Sequence, residues 1–162
     1  QNADFHSAEL TGADFSSTNL RGANFSNARM MGCDFSRADA TGARFDGIVA
    51  TGCDFSGAVM DTNAAAQIVR GCRSGCDLSR FNLQGADLRN VSISGVSLTG
   101  ADLRNANLSG GVFSGVDFDN ARLDGANLNG ARFINCSFDG VDKSHVDFSR
   151  ASQVIQDGDR NK

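Results

Sequence analysis

A five-residue period runs through the first sixty residues and limits what this chain can fold into. Every position divisible by five, from 5 to 60, holds an apolar residue, twelve in succession. Each such five-residue repeat is called a phrase below. The residue two places before the apolar one is small in eleven of the twelve phrases and is larger only at Ile48. Five residues turn an α-helix by about 500° and leave a strand on its opposite face, so neither element alone can bury both positions. The chain must change direction once per phrase, which predicts a solenoid with a core one coil wide.

Many phrases have closely related sequences. Ala-Asp-Phe, Ala-Asn-Phe, Ala-Asp-Leu or Ala-Asn-Leu stands at residues 3–5, 13–15, 23–25, 86–88, 101–103, 106–108 and 126–128. This pattern resembles the pentapeptide-repeat family over nearly the whole chain. The resemblance implies an all-β fold, a right-handed quadrilateral β-helix with four phrases to a coil, in which residues twenty apart stack. For a chain of 162 residues it implies about seven coils.

Stacking at an interval of twenty explains why large and slim residues alternate in the first run. The phenylalanines fall into two predicted columns on opposite faces, Phe5, Phe25 and Phe45 in one and Phe15, Phe35 and Phe55 in the other. Smaller residues occupy the two faces between these columns, so the rings can fill the narrow interior of the solenoid, here called the bore, without clashing. In the second run the predicted core includes Leu88, Leu108, Phe118 and Phe133.

One repeat domain over residues 1–162 is predicted, with an interruption near its middle. Its parts are a first run at 1–60, an interruption at 61–75, a second run at 76–150 and a polar tail at 151–162. Fourteen of the fifteen phrase centres in the second run are apolar, and Lys143 is the exception. We expect Lys143 to extend past the last coil to solvent.

The interruption contains a predicted short helix over residues 63–70. A polar residue among 61–63 can cap it, alanines propagate it and Gly71 can end it. A helix of two turns at most is unstable alone, so we expect it to pack on the solenoid through Ile68 or Val69 while the interruption projects from the rod.

Charge and hydropathy exclude several classes of function. The net charge is −4 and no basic patch is present, so direct nucleic-acid binding is not expected. No apolar run approaches the roughly 20 residues that cross a bilayer, and no membrane span is expected. The compartment is left open, with the cytoplasm favoured over a secreted, periplasmic or lumenal location. A homodimer through exposed coil ends is an open alternative.

The five cysteines are the first candidates for chemistry. Cys33 and Cys53 occupy the small inward position twenty apart, and their predicted separation of about 4.8 Å permits a disulfide. The favoured interpretation is that each replaces alanine as a small buried hydrophobe. Cys72 and Cys76 allow a second disulfide beside the helix, but without a nearby histidine they form a poor zinc signature.

Catalysis is not predicted. Only His6 and His145 could act as general bases near neutral pH, and the repeat places them at opposite ends of the rod. There is no nucleophile elbow, phosphate loop or paired-carboxylate cleft, and a filled bore leaves no pocket. We therefore expect no enzymatic activity, no cofactor and no metal site.

The remaining candidates are surface residues. Asp14, Asp34 and Asp54 fall in one column and predict an acidic ladder about 10 Å long. Aspartate at this position bonds the local backbone of a corner, which is one interpretation, and a ligand surface is the other. The candidate partner-binding residues are these three aspartates and three residues of the interruption, Gln67, Arg70 and Arg73.

Two functions are compatible with these features. The first is a rigid scaffold that binds an unidentified protein through its faces and its interruption. The second follows from the resemblance, because the family includes gyrase-protecting quinolone-resistance proteins whose acidic rods imitate duplex DNA. The modest net charge and arginines such as Arg21, Arg37, Arg89 and Arg104 weaken the second, so the scaffold is our prediction.

Overall fold

The computed structural model describes residues 2–154, which form a β-solenoid of about seven turns with one short helix. The elements are β1 (Glu9–Thr11), β2 (Arg29–Met31), β3 (Val49–Thr51), α1 (Thr62–Gly71), β4 (Cys72–Ser74), β5 (Ser92–Ser94), β6 (Val112–Ser114), β7 (Arg132–Ile134) and β8 (Ser152–Val154). The eight strands pair in chain order as one parallel sheet. The predicted fold class is confirmed.

The coil length is twenty residues, as the stacking implied. Leu10 pairs with Met30, and Met30 pairs with Ala50. We call one side of one coil a rung and number the four faces in chain order: face 1 carries the Phe5 rung, face 2 the strands β1 to β8, face 3 the Phe15 rung and face 4 the Leu20 rung. Isolated parallel β-bridges join the rungs of faces 1, 3 and 4.

Most corners between faces have left-handed backbone. Asn90 has φ 59° and Gly110, one coil later, has φ 68°. A Cβ on Gly110 would overlap the amide oxygen of Asn90, so this corner needs both a left-handed conformation and the absence of a side chain. Asparagine and glycine adopt that conformation at the lowest cost, which explains their places in the repeat.

The predicted phenylalanine columns are confirmed. Ring centroids are 4.8 Å apart for Phe5 and Phe25 and 4.9 Å apart for Phe15 and Phe35, with nearly parallel planes. Rings of opposite columns meet edge to face, as Phe25 and Phe35 do at 5.4 Å. Such contacts stabilise the core beyond the area they bury. The predicted core residues of the second run are all buried, namely Leu88, Leu108, Phe118 and Phe133.

Lys143 lies at the surface, as predicted. Its ammonium group stands 5.7 Å from the ring centroid of Phe138 and 5.8 Å from that of Phe148. Cation–π attraction therefore holds the charge over the end of the aromatic column instead of within it.

The interruption is built into the solenoid and does not project from it. Helix α1 is ten residues long, longer than predicted, and begins after Asp61. Ile68 and Val69 are fully buried, which confirms the expected packing face. The helix occupies face 1 between the Phe45 and Leu88 rungs, where a rung would otherwise lie.

Strand β4 belongs to the sheet although the sequence placed it within the interruption. Ala50 lies opposite Cys72 and Thr51 opposite Ser74, so Arg73 is an extra residue in a β-bulge. Face 2 therefore continues past the helix, and Cys72 takes the inward position of this rung.

Two side chains of α1 bond the rungs beside it. The Gln67 side-chain oxygen accepts a hydrogen bond from the Phe45 N–H at 3.1 Å. The Arg70 guanidinium donates to the backbone carbonyls of Asp87 and Arg89, each at 3.1 Å. These bonds replace ones that a β-rung would make, since buried backbone groups without partners are costly.

Two unusual inward residues fit around the helix. Ile48, the one large residue at a small inward position of the first run, contacts α1 where a Cβ on Gly71 would lie 2.7 Å from the Ile48 carbonyl oxygen. Phe81 takes a small inward position in the second run, is buried, and meets the Phe55 ring edge to face at 6.3 Å. Both fill space that the change from rung to helix creates.

Face 4 has no bridge where the interruption begins. Val59 pairs with Asp39 of the preceding coil, and Asn82 pairs with Asp102 of the following one. In residues 2–154, no β-bridge joins Val59 to Asn82. We call this gap, between residues 58–60 and Asn82, the face 4 seam.

The predicted polar tail is only partly described. Residues 152–154 form strand β8 on face 2, and residues 155–162 lie outside the described residues. Within residues 2–154 the helix present is α1, and its ten residues are too few to span a bilayer.

Candidate interaction surface

The predicted acidic column lies on face 3. Asp14, Asp34 and Asp54 bridge one another in register. Each carboxylate accepts hydrogen bonds from the N–H and the hydroxyl of the serine two residues on; for Asp34 and Ser36 these are 2.8 and 2.6 Å. The same bonds from Ser16 lower the pKa of Asp14. These aspartates therefore do bond the corner that follows them, as one of the two interpretations held. Their charge still faces outward.

The column is longer than the sequence analysis predicted. Asp54 bridges Asp77 across the interruption, although these residues are 23 apart instead of 20. The three-residue change of phase concealed this contact. Outward positions of face 3 now carry seven carboxylates, Asp14, Asp34, Asp54, Asp77, Asp117, Asp119 and Asp139.

Arginines neutralise much of the charge on the other polar faces. On face 4 the Arg104 guanidinium donates to both carboxylate oxygens of Asp102, at 2.9 and 2.7 Å. On face 1 the ion pair of Arg89 and Asp87 is 2.8 Å long. These bonds lower the pKa of both aspartates. Face 3 differs because its acids are bonded mainly to hydroxyl and amide groups.

The three candidate residues of the interruption occupy different settings. Gln67 and Arg70 are engaged with backbone groups of the neighbouring rungs. Arg73 is exposed at the β4 bulge on face 2. The structure therefore does not bring these three together with Asp14, Asp34 and Asp54 as one site.

All five cysteines are free thiols, and neither disulfide that the sequence allowed is formed. The Cys53 thiol donates to the Met30 carbonyl at 3.6 Å, and burial raises the pKa of Cys53 to about 11. The Cys72 thiol is hydrogen-bonded to Cys76, which raises the pKa of Cys72 and lowers that of Cys76. Cys33 and Cys53 fill the small inward position as alanine does elsewhere.

The two histidines lie on different coils, near opposite ends of the described solenoid. His6 and His145 are exposed, and the ring of each contacts the hydroxyl of an adjacent serine. Among residues 2–154, no group of three or more histidine, cysteine or acidic residues is arranged to hold a metal ion. The surface carries repeated polar side chains on its faces, with grooves that include one at the corner of faces 3 and 4 and one beside α1.

These features define a solenoid repeat protein whose distinguishing groups lie on its outer faces. Two family models, both described as pentapeptide repeats, match the sequence: one at residues 1–37, 28–61 and 74–110, the other at residues 93–142. The chain belongs to the pentapeptide repeat family. No curated protein matches it at the level of sequence.

The chain is similar to several solved structures. A trypsin-treated form of QnrB1, a plasmid-mediated fluoroquinolone resistance protein, is 22% identical, with 91% of this chain and 80% of that chain covered and a TM-score of 0.35. HetL, involved in heterocyst differentiation regulation in the cyanobacterium Nostoc, is 23% identical, with 98% and 91% covered and a TM-score of 0.31. A thylakoid lumen protein of Arabidopsis thaliana is 28% identical, with 85% and 66% covered and a TM-score of 0.27.

Proposed function

We propose that this protein is a non-enzymatic interaction scaffold that binds a partner protein on the outer faces of its rod. The observation that carries the proposal is that apolar side chains fill the interior of the rod, while polar side chains stand in regular columns on its exterior. A filled core has no chamber for a small substrate, whereas rigid columns of side chains repeated about every 4.8 Å suit a macromolecular surface.

Face 3 is the face we expect the partner to contact. Its seven carboxylates stand on one face and none of them forms an ion pair within residues 2–154, whereas Asp39, Asp46, Asp87 and Asp102 on faces 1 and 4 are paired with arginine. A field of predominantly one sign steers association with a surface of the opposite sign. The proposed partner is therefore a protein with a basic surface.

The test is a quantitative pull-down with the rod as bait and two matched variants. The first variant changes four aspartates of face 3 to asparagine, Asp14, Asp34, Asp54 and Asp77. Asparagine keeps the oxygen that accepts from the corner serine, so the fold should survive. The control changes four aspartates of face 1 in the same way, Asp4, Asp46, Asp87 and Asp147.

We expect a protein that is enriched by the unmodified chain, lost with the face 3 variant and retained with the face 1 variant. Loss with the face 1 variant instead would move the interface to that face. Absence of any protein enriched over an unrelated bait would contradict the scaffold function itself.

Imitation of DNA towards gyrase is the second candidate function. The extension of the acidic column through Asp77 to Asp117 favours it. Arg37 and Arg80 stand at the corner of the same face and weaken the field. We therefore expect neither inhibition of gyrase supercoiling nor protection from a quinolone at micromolar protein. Protection that falls steeply with salt, and that the face 3 variant lacks, would make DNA imitation the better account.

A further inference from the structure

The face 4 seam leaves backbone groups without the partners that they have elsewhere on this face. One coil earlier, the Ala40 N–H donates to the Val59 carbonyl at 2.7 Å and the Val59 N–H donates to the Ala38 carbonyl at 2.9 Å. The equivalent groups at the seam are the N–H groups of Met60 and Asn82. Within residues 2–154, neither donates a backbone hydrogen bond across the seam.

The rungs on the two sides of the seam also expose apolar surface. Val59 is 59% exposed, and Met60 is half-buried although it holds the large inward position. On the other side of the seam Phe81 occupies a position that alanine fills in most coils. Unpaired backbone beside exposed apolar side chains is the surface to which an extended chain can add.

A groove opens at each end of the seam. At the corner of faces 3 and 4 the groove is lined in part by Arg37, Gly57, Ser79 and Arg80. At the corner of faces 4 and 1 a second groove lies between α1 and residues 85–87. The two grooves and the seam thus lie on one line across face 4. Residues 57–63 form one side of this line, and residues 79–87 form the other side.

Charge distinguishes the two ends of this line. Arg37 and Arg80 are exposed, stand on either side of Gly57 in their column, and form no ion pair in the described part of the chain. At the other end Arg70 and Arg89 both lie within ion-pair distance of Asp87. The end beside face 3 is therefore where an added carboxylate would find free guanidinium groups.

We propose that the face 4 seam docks an extended peptide segment of a partner protein, with an acidic residue of that segment against Arg37 and Arg80. Backbone groups of the segment bond N–H and carbonyl groups left free at the seam, and its apolar side chains cover Val59 and Met60. Only an extended backbone supplies donors and acceptors at the spacing of a β-ladder. This proposal rests on the proposed function, since it specifies how a bound partner contacts the rod.

The experiment is selection of a library of random short peptides, displayed on phage, against the intact protein. Recovered peptides are then synthesised and their affinities measured. Val59→Lys places a charge on the seam, and Met31→Lys is the matched control, because Met31 is 60% exposed on face 2. Circular dichroism verifies that both variants keep the fold.

We expect peptides in which an acidic residue is followed by alternating apolar residues. Val59→Lys and N-methylation of alternate backbone amides should each weaken binding about tenfold or more, a difference equal to the loss of one to two hydrogen bonds, while Met31→Lys leaves binding unchanged. Recovery of no peptides, or of peptides indifferent to Val59→Lys and to N-methylation, would overturn the seam proposal. A partner whose capture by the rod is unaffected by Val59→Lys would leave the scaffold function intact, so the two failures are distinguishable.

Discussion

At the scale of single residues, the large inward side chain of each phrase carries the packing. The Phe35 ring stacks on Phe15 at 4.9 Å and on Phe55 at 4.8 Å, and it meets Phe25 edge to face at 5.4 Å. The bore is one side chain wide, so no second layer can close around a lost ring. The stability of the rod therefore depends on a few positions that the five-residue period identifies.

Phe35→Ala should show this dependence. We expect a loss of about 3–5 kcal/mol in the free energy of unfolding, because the cavity is enclosed on all sides. Ala40→Gly, at a slim inward position of the next rung, should cost about 1 kcal/mol or less. Denaturant titration measures both, and equal midpoints for the two variants would contradict the column packing.

Gly71 tests the fit between the helix and the solenoid. Gly71→Ala favours the helix by propensity but places a Cβ 2.7 Å from the Ile48 carbonyl oxygen. We expect a net loss of about 1–3 kcal/mol, as for other overpacked sites. In an Ile48→Ala background, Gly71→Ala should cost less than in the unmodified chain but should still lower stability, because the contact with the Ile48 carbonyl oxygen remains. No cost of Gly71→Ala in that background, measured by thermal unfolding, would show that the Ile48 side chain alone is responsible.

The corner aspartates predict how stability depends on pH. Hydrogen bonds from Ser16 lower the pKa of Asp14 from its ordinary value of 3.8, and those from Arg104 lower the pKa of Asp102. A lowered folded pKa contributes stability above 3.8, and that stability is lost as the pH falls below this value. We expect a melting temperature that is steady from neutral pH down to about 4 and then declines. A maximum near pH 3 would contradict the hydrogen-bonding roles of these carboxylates.

At the scale of elements, α1 takes the place of a rung by using side chains where the solenoid uses backbone. Its apolar face covers the core through Ile68 and Val69, while Gln67 and Arg70 bond the rungs on either side. Ten residues of helix thereby close one face of the coil without ending the rod.

Arg70→Ala and Arg73→Ala form a matched pair, three residues apart. Arg70 donates to two backbone carbonyls, whereas Arg73 is an exposed residue of the β4 bulge. We expect Arg70→Ala to lower the free energy of unfolding by about 1–2 kcal/mol and Arg73→Ala to be nearly neutral. Equal effects in a denaturant titration would mean that α1 is held by apolar packing alone.

Much of this fold could be predicted from the sequence, because a period of five admits few geometries. The columns, the place of α1 and its buried residues all follow from pattern and propensity. The role of α1 as a rung could not be predicted, because the hydrogen bonds of Gln67 and Arg70 leave no periodic pattern in the sequence. Asp77 was missed because the phase changes by three residues at the interruption. Ile48 was visible in the sequence as the one large residue at a small inward position of the first run. Its explanation is the contact with Gly71, which lies on another element, α1.

At the scale of the whole molecule, the four faces respond differently to the interruption. Faces 2 and 3 pair from coil to coil past it, face 1 is filled by the helix, and face 4 opens at the seam. The two repeat runs are therefore joined along two faces as one continuous rod. A rigid rod holds its surface columns in fixed relation, which is what a scaffold requires.

Amide hydrogen exchange, resolved to single residues, tests this continuity most directly. The Phe55 N–H donates to the Asp77 carbonyl and the Asp77 N–H donates to the Cys53 carbonyl, both at 2.9 Å across the interruption. We expect these two amides to be as protected as the Phe35 N–H within the first run, and the amides of Met60 and Asn82 at the seam to exchange much faster. Rapid exchange of Phe55 and Asp77, at the rate of Met60, would show two separate solenoids joined by a linker and would contradict the account.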